Sequence, residues 1–110
     1  MLTTTDLIEK LDCKLITQEN GREICGGYCG DLLSVVMSHA QPGQAWITVM
    51  GNVNAAAVAL LTDVACIILA ENTVADEDML QKARGQDIAV FTTPLPVYEC
   101  AVLLEKLLRS

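Results

Sequence analysis

Histidine occurs once, at His39, and aromatic side chains four times, as one Trp, two Tyr and one Phe in 110 residues. A lone histidine leaves Ser-His-Asp and Cys-His catalysis without a supporting pattern, because each needs a nucleophile and an orienting partner. Near the end of a helical segment, His39 reads as a dipole-facing or solvated side chain. With so few rings, the core has to be built from Ala, Val, Leu, Ile, Met and Cys. Positive charge is scarce as well. Seven Lys and Arg against fourteen Asp and Glu give a formal charge of −7, which repels phosphate backbones and anionic lipid, so neither nucleic acid nor membrane is an expected partner. The longest apolar run, Val53 to Ala70, is broken at its centre by Thr62-Asp63, where a carboxylate in lipid costs about 2.5–3.5 kcal/mol, and it is not read as a membrane span. The opening MLTTTDLIEKLDC carries acids where a secretory signal needs a basic and then an apolar segment, so a cytoplasmic protein is expected.

Nucleotide motifs are missing too. No glycine loop is followed by Lys-Ser or Lys-Thr, and no GxGxxG spacing occurs. The five cysteines are an odd number and lie mostly in apolar segments, which reads as reduced packing thiols. Cys25 and Cys29 are separated by three residues, and only His39 and the other cysteines remain to complete a zinc set, so no metal and no cofactor is predicted. A redox pair made of Cys25 and Cys29 stands as the alternative reading of these thiols.

What is present is organised around Ala45–Glu71, AWITVMGNVNAAAVALLTDVACIILAE: a strand, a polar joint at Gly51-Asn52-Val53-Asn54, an apolar helix over Ala55–Asp63 capped by Asn54, and a second strand over Val64–Ala70. Because the helix is apolar nearly all round, it is expected to be covered on both sides, in part by another subunit. Before this block, Thr3-Thr4-Thr5-Asp6 opens a short helix. Cys13–Gln18 is a strand, and Glu19-Asn20-Gly21 turns it into Arg22–Cys25, an antiparallel hairpin at the sheet edge. Cys25–Gly30 reads as a glycine-rich loop. Asp31 then opens a helix whose inner face is Leu32, Val35, Val36 and Met37, ended by Gln41-Pro42-Gly43. After the block, Asp76 opens an acidic helix ending at Gly85, Ile88–Thr92 is a strand, and Pro94 and Pro96 precede an amphipathic helix with Val97, Cys100, Ala101, Leu104 and Leu108 on one face. The alternation implies right-handed crossovers and one α/β domain over residues 1–110, a three-layer α/β/α sandwich with a mostly parallel sheet of four to five strands.

In such a sheet the loops after the strands share the carboxyl edge, where ligands bind. This gathers Asn52, Asn54, Glu71, Asn72, Thr92 and Thr93, to which the loop Gly26-Gly27 and Asp31 are added as a backbone N–H site at a helix start. Amides, hydroxyls and a carboxylate suit hydrogen bonding to a small polar molecule better than acid–base chemistry. The plainer reading, turn residues and helix caps, accounts for the same side chains.

From Gly26 to Leu108 the segments GGYCGDLLSVVM, PGQAWITVMGNVNAAAVALLTDVACIILAE and IAVFTTPLPVYECAVLLEKLL resemble the DRTGG domain family in its small stand-alone form. The same segments are similar to the N-terminal domain of HPr kinase/phosphorylase and to the DRTGG domains of CBS-domain pyrophosphatases and phosphotransacetylase-related proteins. The resemblance implies a dimeric α/β regulatory module. It also implies a partner enzyme, since some stand-alone members occur beside genes for iron-only hydrogenase or electron-transfer subunits. The chain departs from the family where Gly51-Asn52-Val53 stands for Gly-Asp-Arg and Ala70-Glu71-Asn72 for a Thr-Gly-Gly-like ending. Losing the Arg counts against an anion-binding role, and no phosphoryl-transfer machinery accompanies the kinase-related name. The expectation is a homodimeric, non-enzymatic module for a small polar ligand, a nucleotide among the candidates, or for docking on a partner enzyme. A thiol redox component and an HPr-kinase-related phosphotransferase are the alternatives.

Overall fold

A computed structural model describes residues 1–110. The chain runs β1 (Leu2–Thr3), α1 (Thr4–Lys10), β2 (Lys14–Leu15), β3 (Glu23–Ile24), β4 (Gly26–Cys29), α2 (Leu33–His39), β5 (Gln44–Thr48), α3 (Val53–Thr62), β6 (Cys66–Leu69), α4 (Glu77–Gly85), β7 (Ala89–Thr92) and α5 (Val97–Arg109). The main sheet has the order β2-β7-β6-β5-β4; β4 to β7 are parallel, and β2 is antiparallel to β7. β1 and β3 form a separate antiparallel ribbon.

Each crossover from β4 to β7 steps one strand in the same direction, and right-handed crossovers that never reverse put α2, α3 and α4 on one face. The pleat sends Trp46, Ile67, Leu69 and Val90 to that face, where they meet Val36, Ala55, Ala59 and Met79. Alternate residues Ala45, Ile47, Cys66, Ile68 and Phe91 face the other layer, closed by Leu7 and Leu11 of the α1 region, Leu2 and Ile24 of the ribbon, and Cys100 and Leu104 of α5. The three layers and the mostly parallel five-stranded sheet are as expected. The core is less purely aliphatic than the composition implies: the largest fully buried side chains are Trp46 and Phe91, one on each face of the sheet.

Four local expectations are corrected. The edge hairpin does not form. Gly21 does adopt a turn, with φ of 64°, but Lys14-Leu15 pairs with Thr92-Phe91 and Glu23-Ile24 pairs with Thr3-Leu2. The returning segment is held elsewhere: Arg22 bonds the Asp63 carboxylate at 3.0 Å and the Val64 carbonyl at 2.9 Å, capping the end of α3. Secondly, Gly26–Cys29 is a strand rather than a loop, in parallel register with Gln44–Ile47. Glycine lets α5 lie close, since a Cβ at Gly27 would sit 2.9 Å from Leu104 Cδ2. Thirdly, of the proposed inner face of α2 only Val36 is buried, while Leu32, Val35 and Met37 are exposed, because a two-turn helix over an edge strand has little to cover. Finally, α3 is capped by Asn52, whose Oδ1 accepts from Ala55 N at 3.2 Å, and Asn54 sits exposed in the first turn. The alanine side of α3 is buried, but Leu60 and Leu61 are exposed.

Candidate functional site

Parallel strands bring the loops after Cys29, Thr48, Leu69 and Thr92 to one edge, and with them Asp31, Asn52, Asn54, Glu71, Asn72, Thr92 and Thr93. Gly26 and Gly27 are at the opposite end, opening β4 beside Gln44 and Ala45. Even at the shared edge three of the seven candidates already have structural duties. The Asp31 carboxylate accepts from Thr48 Oγ1 at 2.7 Å and Val49 N at 2.9 Å, tying the loop after β4 to the end of β5. Asn52 caps α3. Thr93 Oγ1 donates to the Asp12 carbonyl at 2.8 Å and accepts from Leu95 N at 3.2 Å. Asn72 and Thr92 line both lobes of one hollow, and Thr93 lines one of them.

That hollow does not arise at a strand-order reversal, the usual place for a crevice, because β4 to β7 never reverse. It lies between the edge pair β2 and β7 on one side and the loop from β6 into α4 on the other. Leu15 and Phe91 pack into the α5 layer, so the alternation points Lys14, Ile16 and Thr92 to the α4 side. One lobe, about 320 Å³, is lined by Ile16, Asn72, Thr73, Val74, Ala75, Leu80 and Thr92. The other, about 290 Å³, is lined by Asp12, Cys13, Lys14, Asn72, Thr92, Thr93 and Pro94. Asn72 and Thr92 stand on both, as the divide of one two-lobed cleft.

The wall between β6 and α4 is fixed from its backbone. Glu71 and Asn72 both adopt φ of 58°, the left-handed region that glycine enters most cheaply. Their N–H groups donate to Leu95 O at 2.9 Å and Thr93 O at 3.0 Å, and Thr73 N donates to Ala70 O at 3.1 Å. The loop then passes over Gly51, whose carbonyl accepts from Asp76 N at 2.8 Å. A Cβ on Gly51 would press into the Val74 carbonyl and lie 3.3 Å from Ala75 Cα. With those N–H groups consumed, the loop is not an anion-binding nest. What the cleft offers is side chains: a primary amide, hydroxyls, one ammonium, one carboxylate and an aliphatic shelf.

Asp12, Lys14, Ile16, Val74 and Leu80 escape sequence reasoning. The alternation in CKLITQ does put Lys14 and Ile16 on one side of a strand, but nothing local reveals that β2 lies against β7.

Burial pushes the thiols upward, away from reactivity: Cys13 to about 12, Cys100 to about 11, and Cys66 further up. Cys29 is exposed at the strand edge, yet partial desolvation and then the charge of Asp31 raise it too, opposite to an activated thiolate. Cys25 and Cys29 are four positions apart along extended chain, roughly 13 Å, whereas a disulfide needs Cα atoms within about 7 Å. No pairing between them is possible without breaking β4. Nor does His39 join any cluster; its ring Nδ1 lies 3.0 Å from Val35 O of its own helix.

No protein-family model and no curated protein sequence matches the chain. Among solved structures, it is similar to the crystal structure of the CBS and DRTGG domains of the regulatory region of a Clostridium perfringens pyrophosphatase complexed with its activator, diadenosine tetraphosphate. The TM-score is 0.68 at 11% identity, over 93% of this chain and 45% of that one. At that identity the likeness is one of fold, and it agrees with the fold that the sequence resemblance implies. The chain spans less than half the length of that structure. No helix is long and apolar enough to cross a membrane.

Proposed function

We propose that this chain is a regulatory ligand-binding module: the two-lobed cleft between β2, β7 and the β6–α4 loop takes a small polar molecule, and the bound state is read by a second copy or a partner enzyme. The observation that carries the reading is the cleft itself. Asn72 and Thr92 face it without side-chain hydrogen bonds to the protein, and Asn72 sits on a loop whose positive-φ backbone is held by three hydrogen bonds, while Thr92 is fixed in the extended strand β7. Backbone strain maintained by its surroundings is characteristic of sites that bind. A non-enzymatic role fits the lining, which supplies hydrogen bonds and two opposite charges but no base poised beside a nucleophile. The shared fold with a pyrophosphatase regulatory region supports a regulatory role.

The pairing of copies is assigned to the β4 edge. β2, at the other edge, carries Lys14 on a two-residue strand, a common protection against pairing, whereas β4 is four residues long with no charge, proline or bulge. Exposed Leu32, Val35 and Met37 of α2 flank it on one side, and a groove of about 240 Å³ with Ile47, Ala101, Leu104 and Leu108 flanks it on the other. Light scattering should give twice the chain mass, reduced to one chain mass by Cys29→Pro, whose N–H faces away from β5 at the free edge; a wild-type monomer at micromolar concentration would remove the pairing. For the cleft, a thermal-shift screen of adenine nucleotides, amino acids and organic acids should yield at least one stabilising compound by mass action. Asn72→Ala and Thr92→Val should abolish that response. A screen with no response, or one that both variants leave intact, overturns the ligand reading.

A further inference from the structure

The geometry points to the ligand class: we infer that the cleft recognises a free α-amino acid with an aliphatic side chain, its carboxylate at Lys14, its ammonium at Asp12 and its side chain on Ile16, Val74 and Leu80. This rests on the ligand-binding reading above. Asp12 and Lys14 both line the smaller lobe. The three ion pairs of the protein are elsewhere, at Arg22–Asp63, Arg84–Glu77 and Arg109–Glu105, so one cation and one anion stand beside the same hollow without pairing with each other or with any third group. A zwitterion is the small molecule that satisfies both. A lone anion would meet Lys14 but leave Asp12 repelling it; a lone cation would do the reverse.

Polyphosphates fit poorly. They need several cations or a nest of free N–H groups, whereas the cleft has a single ammonium, the N–H groups of Glu71, Asn72 and Thr73 are all donated within the protein, and the chain carries a charge of −7. The neighbouring lobe sets the side-chain preference. Ile16, Val74, Ala75 and Leu80 form its apolar wall, and Val74 is 84% exposed, an aliphatic side chain left to solvent at the place where a ligand would cover it. At about 320 Å³ this lobe lies at the lower end of the roughly 300–1,000 Å³ typical of small-molecule sites. Asn72 and Thr92, on the divide between the lobes, are placed to bond the carboxylate and ammonium from the other side.

Calorimetric titration of the full chain with L-leucine tests this, with N-acetyl-L-leucine, which lacks the ammonium, L-leucinamide, which lacks the carboxylate, and adenosine monophosphate as comparison probes. L-leucine should bind, with both blocked forms at least tenfold weaker. Lys14→Ala and Asp12→Asn should each weaken L-leucine at least tenfold. Both side chains are exposed and unpaired, so the unliganded melting temperatures should stay at the wild-type value, which separates lost recognition from lost folding. Binding of adenosine monophosphate without L-leucine, sensitive to Asn72→Ala, would overturn the amino-acid assignment and leave the ligand-binding reading standing. L-leucine binding that is indifferent to Lys14 and Asp12 would also overturn it. If none of the probes binds and the wider screen is silent too, both readings fall together.

Discussion

Replacing Gly51 by alanine should destabilise the protein by about 1–3 kcal/mol. The residue joins β5 to α3, and the β6–α4 loop crosses directly above it. The added methyl would press into the Val74 carbonyl oxygen, 3.2 Å from the Val74 carbonyl carbon and 3.3 Å from Ala75 Cα. All of these are backbone atoms, so no rotamer change relieves the clash. Forcing a carbon into a packed site costs about 1–3 kcal/mol. Lifting the loop instead strains or breaks the Asp76 N–H to Gly51 carbonyl bond at 2.8 Å, worth about 0.5–1.5 kcal/mol. The control is Gly85→Ala. Gly85 ends α4, and a methyl added there would meet no atom within 4 Å, so restricting the unfolded chain should stabilise by about 0.4–1 kcal/mol. Urea unfolding followed by circular dichroism measures both, and the two substitutions should move the midpoint in opposite directions. A Gly51→Ala variant within about 0.5 kcal/mol of wild type, the usual range for an inconsequential surface change, would refute the reasoning and show that the loop is not seated on Gly51.

The two asparagines of the polar joint should separate cleanly. Asn52→Ala removes the α3 cap and should cost about 1 kcal/mol, while Asn54→Ala, exposed in the first turn, should stay within about 0.5 kcal/mol of wild type; equal effects in urea melts would reassign the cap. Stability should also fall in alkali. Burial raises the thiols of Cys13 and Cys100 from an ordinary 9.0 to about 12 and about 11, so the folded state keeps protons that the unfolded state releases. Their contribution is whole below pH 9 and is lost as the pH climbs toward 11–12, at up to about 1.4 kcal/mol per pH unit for each thiol. The slope of melting temperature against pH above 9 should be shallower in Cys13→Ala than in wild type; an unchanged slope would place that thiol in water.

Much of the architecture is legible from local pattern. The long apolar strands β5 and β6, the caps at Asp76 and around Pro96, and the heptad-like face of α5 each carry their signal within a short stretch of chain. The errors fall where the signal is short or shared. Lys14-Leu15 and Glu23-Ile24 are two-residue strands, too brief for an alternating pattern to name their partners, and Glu19-Asn20-Gly21 makes the same turn whether or not a hairpin follows. Glycines between Cys25 and Cys29 look like a loop when their actual purpose is to let α5 approach a strand. At the edge, Asn72 and Thr92 are legible as polar residues after strands, but so are Asp31, Asn52 and Thr93, and nothing local distinguishes a side chain that bonds its own backbone from one left facing the cleft.

The residue pattern settled the class of fold, because strand and helix periodicities alternate and right-handed crossovers leave one parallel arrangement for them. It determined as well which signatures the chain does not carry: a catalytic histidine pattern, a phosphate loop, a metal-ligand spacing and an uninterrupted membrane-length apolar run. The proposed cleft, by contrast, is a product of the tertiary structure. The cleft joins Asp12, Lys14 and Ile16 to Asn72, Leu80 and Thr92, and it exists only because β2 docks antiparallel on β7. That docking depends on long-range packing and on Arg22 drawing the next segment away toward α3, and contacts between residues so distant in the chain leave no trace in the spacing of neighbours.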